Sequence, residues 1–177
     1  MIFEKHITIQ EIELCFPTVK MAKGLRDVIL NNQSEFKYID HVQKLTDISK
    51  CRKYLKTMAE NFEKEEGCHG YMMFKNGILI GYTGIKTRPN GHVAEMSYYL
   101  DKRHTGNGYV TKAVKALENS FFKQGGHRCE IFCNEMNKNS RKTAEKLGYQ
   151  LDGIMREYEL IDGVYHGVAI YSKINKT

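Results

Sequence analysis

The chain has 177 residues, 41% hydrophobic and 27% charged, which suits one compact domain with a core of ordinary size. Its formal net charge of +6 suits an anionic ligand or a ribonucleoprotein partner, but the lysines are scattered and form no stripe with aromatics. That scatter argues against direct nucleic-acid binding. The first residues, MIFEKHITIQEIELCF, carry acidic groups and lack the apolar core of a signal peptide, and no stretch approaches a membrane span, so a cytoplasmic location is expected.

With two prolines, no repeat and no glycine- or serine-rich linker, a single domain over residues 1–177 is expected. Ile12 to Phe16 reads as a short strand, followed by a helix from Lys20 to Asn31 with Ala22, Leu25, Val28 and Ile29 on its apolar side. A second helix is predicted to start near Thr46 or Asp47 and to bury Ile48, Cys51, Tyr54, Leu55, Met58 and Phe62 before stopping at Gly67. The segment between them, SEFKYIDHVQ, reads as too polar for core and as a candidate lining of a substrate mouth.

Beyond Gly67 the period changes to that of strands. YMMFK and ILIGYTGIK flank Asn76-Gly77, a tight hairpin signal, and Pro89-Asn90-Gly91 turns the chain into HVAEMSYYL. In that strand Ala94, Met96, Tyr98 and Leu100 alternate with Val93, Glu95, Ser97 and Tyr99, so one face can be core and the other can face a cleft. A helix then carries Val110, Ala113, Val114, Leu117 and Phe121 on one stripe, with Lys112, Lys115, Glu118 and Lys123 on the other. Gly125-Gly126 ends it, and CEIFC reads as a strand whose Cys129 and Cys133 are buried thiols rather than a zinc knuckle. The odd count of five cysteines favours reduced thiols, and the seven histidines show no metal-ligand spacing, so no metal is expected. Ser140 reads as the N-cap of a short helix closed by Gly148, and Asp162-Gly163 marks a final hairpin.

The stretch MSYYLDKRHTGNGYVTK combines a strand, a glycine-bearing loop and a helix start. Unpaired amides and the helix dipole at such a junction attract phosphate or pyrophosphate, and Gly106 and Gly108 admit the ligand close to the backbone. The pattern is not a Walker A loop, because Lys112 follows Thr111 instead of glycine, and it lacks the third glycine of a dinucleotide fingerprint. Taken alone, Arg103-x-x-Gly106-x-Gly108 also fits a plain turn.

The loop, preceded by Glu95-Met-Ser-Tyr-Tyr-Leu and followed by Asn137-x-x-Ser140 and Glu145-Lys-Leu-Gly-Tyr149, resembles the GNAT acetyltransferase superfamily, and within it the RimL and RimJ type that modifies ribosomal-protein N-termini. The resemblance implies an α/β GNAT fold, with a central mixed, mostly antiparallel β-sheet flanked by helices on both faces. It implies an acetyl-coenzyme A site in which the amides of Arg103, His104, Thr105, Gly106, Asn107, Gly108 and Tyr109 hold the pyrophosphate. The strand ending at Leu100 would splay from the one near Ile131 to admit the pantetheine arm. Asn137 would contact that arm, and amides near Tyr98 and Tyr99 would receive the thioester oxygen. An acceptor amine arrives protonated at neutral pH and needs a base. The resemblance offers Glu159 first and Glu95 in reserve, with Ser140 as the hydroxyl that protonates the departing thiolate. Solvated strand carboxylates and a helix-capping serine are the plainer readings of these three. The acceptor implied is a ribosomal-protein α-amine. A polyamine, an aminoacyl nucleotide, an amine antibiotic, or a non-catalytic acyl-coenzyme A sensor stays open. Relatives of this type often dimerise. The chain departs from their common pattern at Gly167 and Ser97 and has no tryptophan.

Overall fold

In a computed structural model describing residues 1–64 and 67–176, the chain runs β1 (His6–Ile9), β2 (Ile12–Cys15), α1 (Ala22–Asn31), α2 (Asp40–Gln43), α3 (Ile48–Glu63), β3 (Cys68–Lys75), β4 (Ile78–Thr87), β5 (Val93–Leu100), α4 (Tyr109–Lys123), β6 (Arg128–Asn134), α5 (Lys138–Lys146), β7 (Gln150–Ile161) and β8 (Val164–Ile174). Asn76 and Gly77 take φ of 49° and 74°, and Asp162 and Gly163 take 50° and 78°. These left-handed pairs match the twist of the strands they join, so both expected hairpins close with two-residue turns. The eight strands form one sheet in the order β1-β2-β3-β4-β5-β6-β8-β7, antiparallel at every contact except β5 with β6. The expected mixed, mostly antiparallel α/β fold is thereby observed.

Amphipathic helices cover both faces. Leu25, Val28 and Ile29 of α1 and Cys51, Leu55 and Met58 of α3 pack with Met72, Leu79 and Tyr99 on one side. On the other, Ala113, Val114, Leu117 and Phe121 of α4 pack with Ile85, Met96, Cys129, Ile131 and Tyr171. The burial of these apolar stripes is the main stabilising term for the layered arrangement. Of the two candidate caps for α3, Asp47 is the one used, accepting from the Lys50 amide at 2.8 Å.

Three expectations need correction, and β1 forms over HITI, where the sequence reading places no element. The segment SEFKYIDHVQ is partly core, since Phe36 and Val42 are buried against α1 and α3 even though their neighbours are polar. The reading of β5 with one core face and one cleft face fails at Tyr99, which shares a face with Glu95 and Ser97 yet is buried in the α1 and α3 core, stacked on Tyr82 with ring centroids 5.2 Å apart. Glu118, placed on the solvent stripe of α4, is only 1% exposed and pairs with Lys173 of β8 at 2.6 Å.

That last pair generates a stability prediction, because removing one partner leaves the other charge uncompensated. Lys173→Ala should destabilise the protein by about 3 kcal/mol. The double change Glu118→Leu with Lys173→Met should cost much less, and urea unfolding of both variants checks it.

Candidate active site

β5 and β6 are bonded over three rungs only: Val93 to Arg128, Ala94 to Cys129 and Glu95 to Glu130. Beyond Glu95, β5 keeps its pairing with β4 up to Leu100 opposite Gly81, while β6 keeps its pairing with β8 down to Asn134 opposite Val168. The two neighbours therefore part in mid-sheet and leave a wedge lined by strand edges. Asp101 donates its amide to Ile80 of β4 at 2.8 Å. Antiparallel alternation then turns the amides of Tyr98 and Leu100 toward the wedge and that of Tyr99 toward β4. Of the two amides expected to receive the thioester oxygen, Tyr98 faces the opening.

The loop follows directly. The Asp101 side chain accepts from the Arg103 amide at 3.0 Å and takes the Arg103 guanidinium on both oxygens, with the shortest contact 2.5 Å. Lys102 donates its amide to the buried Asn32 at the end of α1 at 2.8 Å, and His104 donates to the Asp101 carbonyl at 2.9 Å. Thr105 and Asn107 spend their side chains inside the loop, bonding Lys102, His104 and Thr105 carbonyls. The Arg103 side chain thus braces the loop from below. Gly106 and Gly108 have φ of 84° and 74°, and Gly108 caps α4 without any side-chain bond. Among the described residues nothing accepts the amides of Gly106 to Thr111, and a methyl group added at either glycine would point into open space. A row of free amides at the start of a 15-residue helix fits an anionic group. Tyr109 is buried, its hydroxyl taken by Lys75, and Lys112 lies 5.8 Å from its ring centre.

α5 seals the wedge from the α4 side. Its N-cap is Asn137, whose Oδ1 accepts from the Ser140 amide at 3.1 Å. The expectation that Ser140 caps this helix is therefore wrong: the first competent acceptor in the chain takes the role and Ser140 lies inside the first turn. Its hydroxyl is released to meet the Tyr98 hydroxyl at 3.0 Å across the opening. Burial pushes the Tyr98 phenol well above its ordinary pKa, so it is a neutral donor at pH 7. Cys133, buried in β6, lies beside Ser140; burial raises its thiol pKa, Ser140 lowers it by hydrogen bonding, and the Glu159 charge raises it further. Tyr98, Ser140 and Cys133 are thus neighbours, and the Glu159 charge reaches this group.

Glu159 is half-buried on β7, opposite His166, and its Oε2 accepts from Asn134 Nδ2 at 3.0 Å. It stands at the open end of the wedge. Glu95, exposed on β5, occupies the last bonded rung, about 10 Å along the strand from Tyr98 and on the opposite face. Sequence reasoning brought together Glu159, Ser140 and Tyr98 but missed Asp101, Cys133 and Asn134. Asp101, directly before the loop, had a signal in its spacing to Arg103; Asn134 had none, since only strand register carries it to Glu159.

Among the described residues one group could ligate a metal: donor atoms of His6, Glu13 and Cys15 lie within 4.8 Å of one another. It sits across the β1-β2 hairpin, at the far edge of the sheet from the wedge, and cross-strand pairing hid it from spacing. No helix of the described residues is long and apolar enough to cross a membrane.

A family model described as acetyltransferase (GNAT) domain matches residues 21–150. Ribosomal-protein-serine acetyltransferase of Escherichia coli (strain K12) is 31% identical over 59% of this chain and 59% of its own length, so the match spans less than two thirds of that relative. A Bacillus subtilis (strain 168) chain named probable N-acetyltransferase YjcK is 30% identical over 70% of this chain and 71% of its own. Among solved structures, a RimL ribosomal L7/L12 alpha-N-protein acetyltransferase in complex with coenzyme A superposes with a TM-score of 0.88 at 23% identity, over 96% of this chain and 97% of its own. Microcin C7 self immunity acetyltransferase MccE, in complex with acetyl-CoA and AMP, gives 0.89 at 24% identity over 98% of both chains. At these identities the two structures speak for the fold.

The brace beneath the loop is pH-sensitive. Burial opposes the Asp101 anion, but the Arg103 guanidinium, the Arg103 amide and Asn32 outweigh it and hold the carboxyl below its usual range. A carboxyl depressed on folding adds stability above its unfolded pKa of about 3.9, and loses it as pH falls through the folded value. Asp101→Asn should therefore lower the thermal midpoint at pH 7 and flatten its decline below pH ~4, as read by thermal unfolding across pH.

Proposed function

The chain belongs to the GNAT acetyltransferase family, and from that premise we propose that it transfers the acetyl group of acetyl-coenzyme A to a primary amine. The observation that carries this reading is the parting of β5 and β6 beside a row of free amides at residues 106–111. The amides suit the pyrophosphate, and the wedge suits the extended pantetheine arm, whose amide groups can pair with the bare edges of β5 and β6.

The residues then divide the reaction. Glu159 takes a proton from the acceptor ammonium, directly or through water, and the freed nitrogen attacks the thioester carbonyl. The Tyr98 amide on the open edge of β5 supports the oxyanion. As the adduct collapses, the carbon–sulfur bond breaks and Ser140, backed by the neutral Tyr98 phenol at 3.0 Å, donates a proton to the thiolate; the nitrogen sheds its second surplus proton to solvent, and Ser140 regains a proton from water. Glu95 is left in reserve by its position on the bonded rung. The Asn137 Oδ1 is engaged as a cap, so its Nδ2 is the group directed to the pantetheine arm.

For the acceptor we infer a protein α-amine of the ribosome, a reading that the name of the Escherichia coli relative supports. Acetyl-coenzyme A and ribosomes share the cytoplasm, which sets the location of this activity. Homodimerisation belongs to the same reading, supported by the exposed Tyr158, Leu160, Val164 and Tyr165 on the terminal hairpin.

Thiol release from acetyl-coenzyme A across a panel of ribosomal N-terminal peptides, polyamines and an aminoacyl adenylate tests the reading, and turnover on a peptide is expected. No turnover on any amine, with coenzyme A still bound, would leave a non-catalytic sensor. Glu159→Gln and Ser140→Ala should each lower kcat by about a hundredfold while coenzyme A affinity stays the same. Gly108→Val should do the reverse, weakening coenzyme A binding by about tenfold or more by covering the amides, as read by calorimetric titration.

A further inference from the structure

Asn134 ends β6 at the mouth of the wedge. Only 3% of it is exposed, and its backbone is fixed by pairing with Val168 of β8. Its Oδ1 accepts from the Met136 amide at 3.0 Å, which settles the orientation of the side-chain amide, since a flip would set two donors against each other. Nδ2 must then point away from Met136, and it donates to Glu159 Oε2 at 3.0 Å.

Glu159 needs such a restraint. It follows a bulge between Met155 and Glu159, where the intervening residues have no partner on β8 and Glu157 takes φ of 51°. The bulge re-aims the strand but leaves the long glutamate side chain free to rotate. Among the described residues no lysine or arginine pairs with it. We infer that Asn134 is a positioning residue, holding the Glu159 carboxylate at the open end of the wedge with one oxygen engaged and the other left for the acceptor's proton. This inference rests on the reading of Glu159 as the base.

The chemistry favours an amide in this place. A guanidinium would hold the carboxylate as an anion, weaken it as a base and repel an incoming ammonium. A neutral donor orients it without repelling the ammonium, and one neutral hydrogen bond favours the anion less than a full positive charge would. The titratable groups around Glu159 are His166, its register partner on β8, Cys133 on β6, and Glu135, whose carboxylate takes the Gly167 amide next to His166 at 2.7 Å, with Glu157 and Tyr158 adjacent in β7.

The test is Asn134→Asp, nearly isosteric, which keeps the acceptor for Met136 and replaces the donor with a second carboxylate. Steady-state kinetics should show kcat reduced by about tenfold or more with KM for acetyl-coenzyme A unchanged, and the acid limb of kcat/KM moved to higher pH, because the facing anion disfavours ionised Glu159. Combined with Glu159→Gln it should cause no further loss. Asn134→Ser, small and neutral, should also lose kcat and leave the acid limb closer to that of the parent. Wild-type kcat and pH profile in Asn134→Asp, or a multiplicative loss in the double variant, would overturn the inference while leaving Glu159 as base. Loss of kcat only in step with coenzyme A affinity or thermal midpoint, in both Asn134 variants, would reduce Asn134 to a structural role and overturn it too. Wild-type activity in Glu159→Gln alone would instead sink the reading of the base.

Discussion

The structure depends on a break in hydrogen bonding. Two adjacent strands in the middle of an eight-stranded sheet pair for three rungs and then separate, while each stays bonded to its other neighbour. Bare strand edges inside a sheet are costly, because buried amides and carbonyls without partners lose their solvation for nothing in return. The parting persists because both strands are anchored elsewhere, and because α5 and the Tyr98–Ser140 contact span the opening at its α4 side. The vacant edge groups are what a long, amide-bearing arm can satisfy. Fold and cofactor binding are in this sense one feature.

The surroundings of the wedge are correspondingly rigid. On one face α1 and α3 bury β3 and β4; on the other α4 and α5 bury β5, β6 and β8. Charges that enter these layers are paired: Glu118 with Lys173, Glu130 with Arg88 and Arg128, Asp101 with Arg103. The last pair connects the end of β5 to the loop, and Asn32 connects the same loop to α1. The free amides at residues 106–111 are thus presented by a frame that needs little rearrangement on binding, which lowers the entropic cost of association.

Much of this was legible in the chain, for local reasons. Asn76-Gly77 and Asp162-Gly163 name their own turns, the stripes of α1, α3 and α4 repeat every three to four residues, and two glycines before a helix mark an anion cradle. The features that the chain hides depend on neighbours distant in sequence. Ser140 has the residue type of a cap, yet Asn137 three residues earlier accepts the Ser140 amide and takes that role. Glu118 reads as a surface residue in the helical pattern because its counter-ion comes from β8, 55 positions later. Phe36 and Val42 were hidden by polar neighbours, and Asn134 meets Glu159 only through the pairing of β6, β8 and β7. Period and turn chemistry are local; charge partners and register are not.

The wedge and the amide row together are proposed to receive acetyl-coenzyme A with its thioester beside Ser140, and a crystal structure of the protein with coenzyme A is the deciding measurement. Pyrophosphate oxygens are expected on the amides of residues 106–111, the pantetheine arm between β5 and β6, and the sulfur within hydrogen-bond reach of the Ser140 hydroxyl. A coenzyme whose arm runs outside the wedge, with the sulfur remote from Ser140 and Tyr98, would contradict that placement.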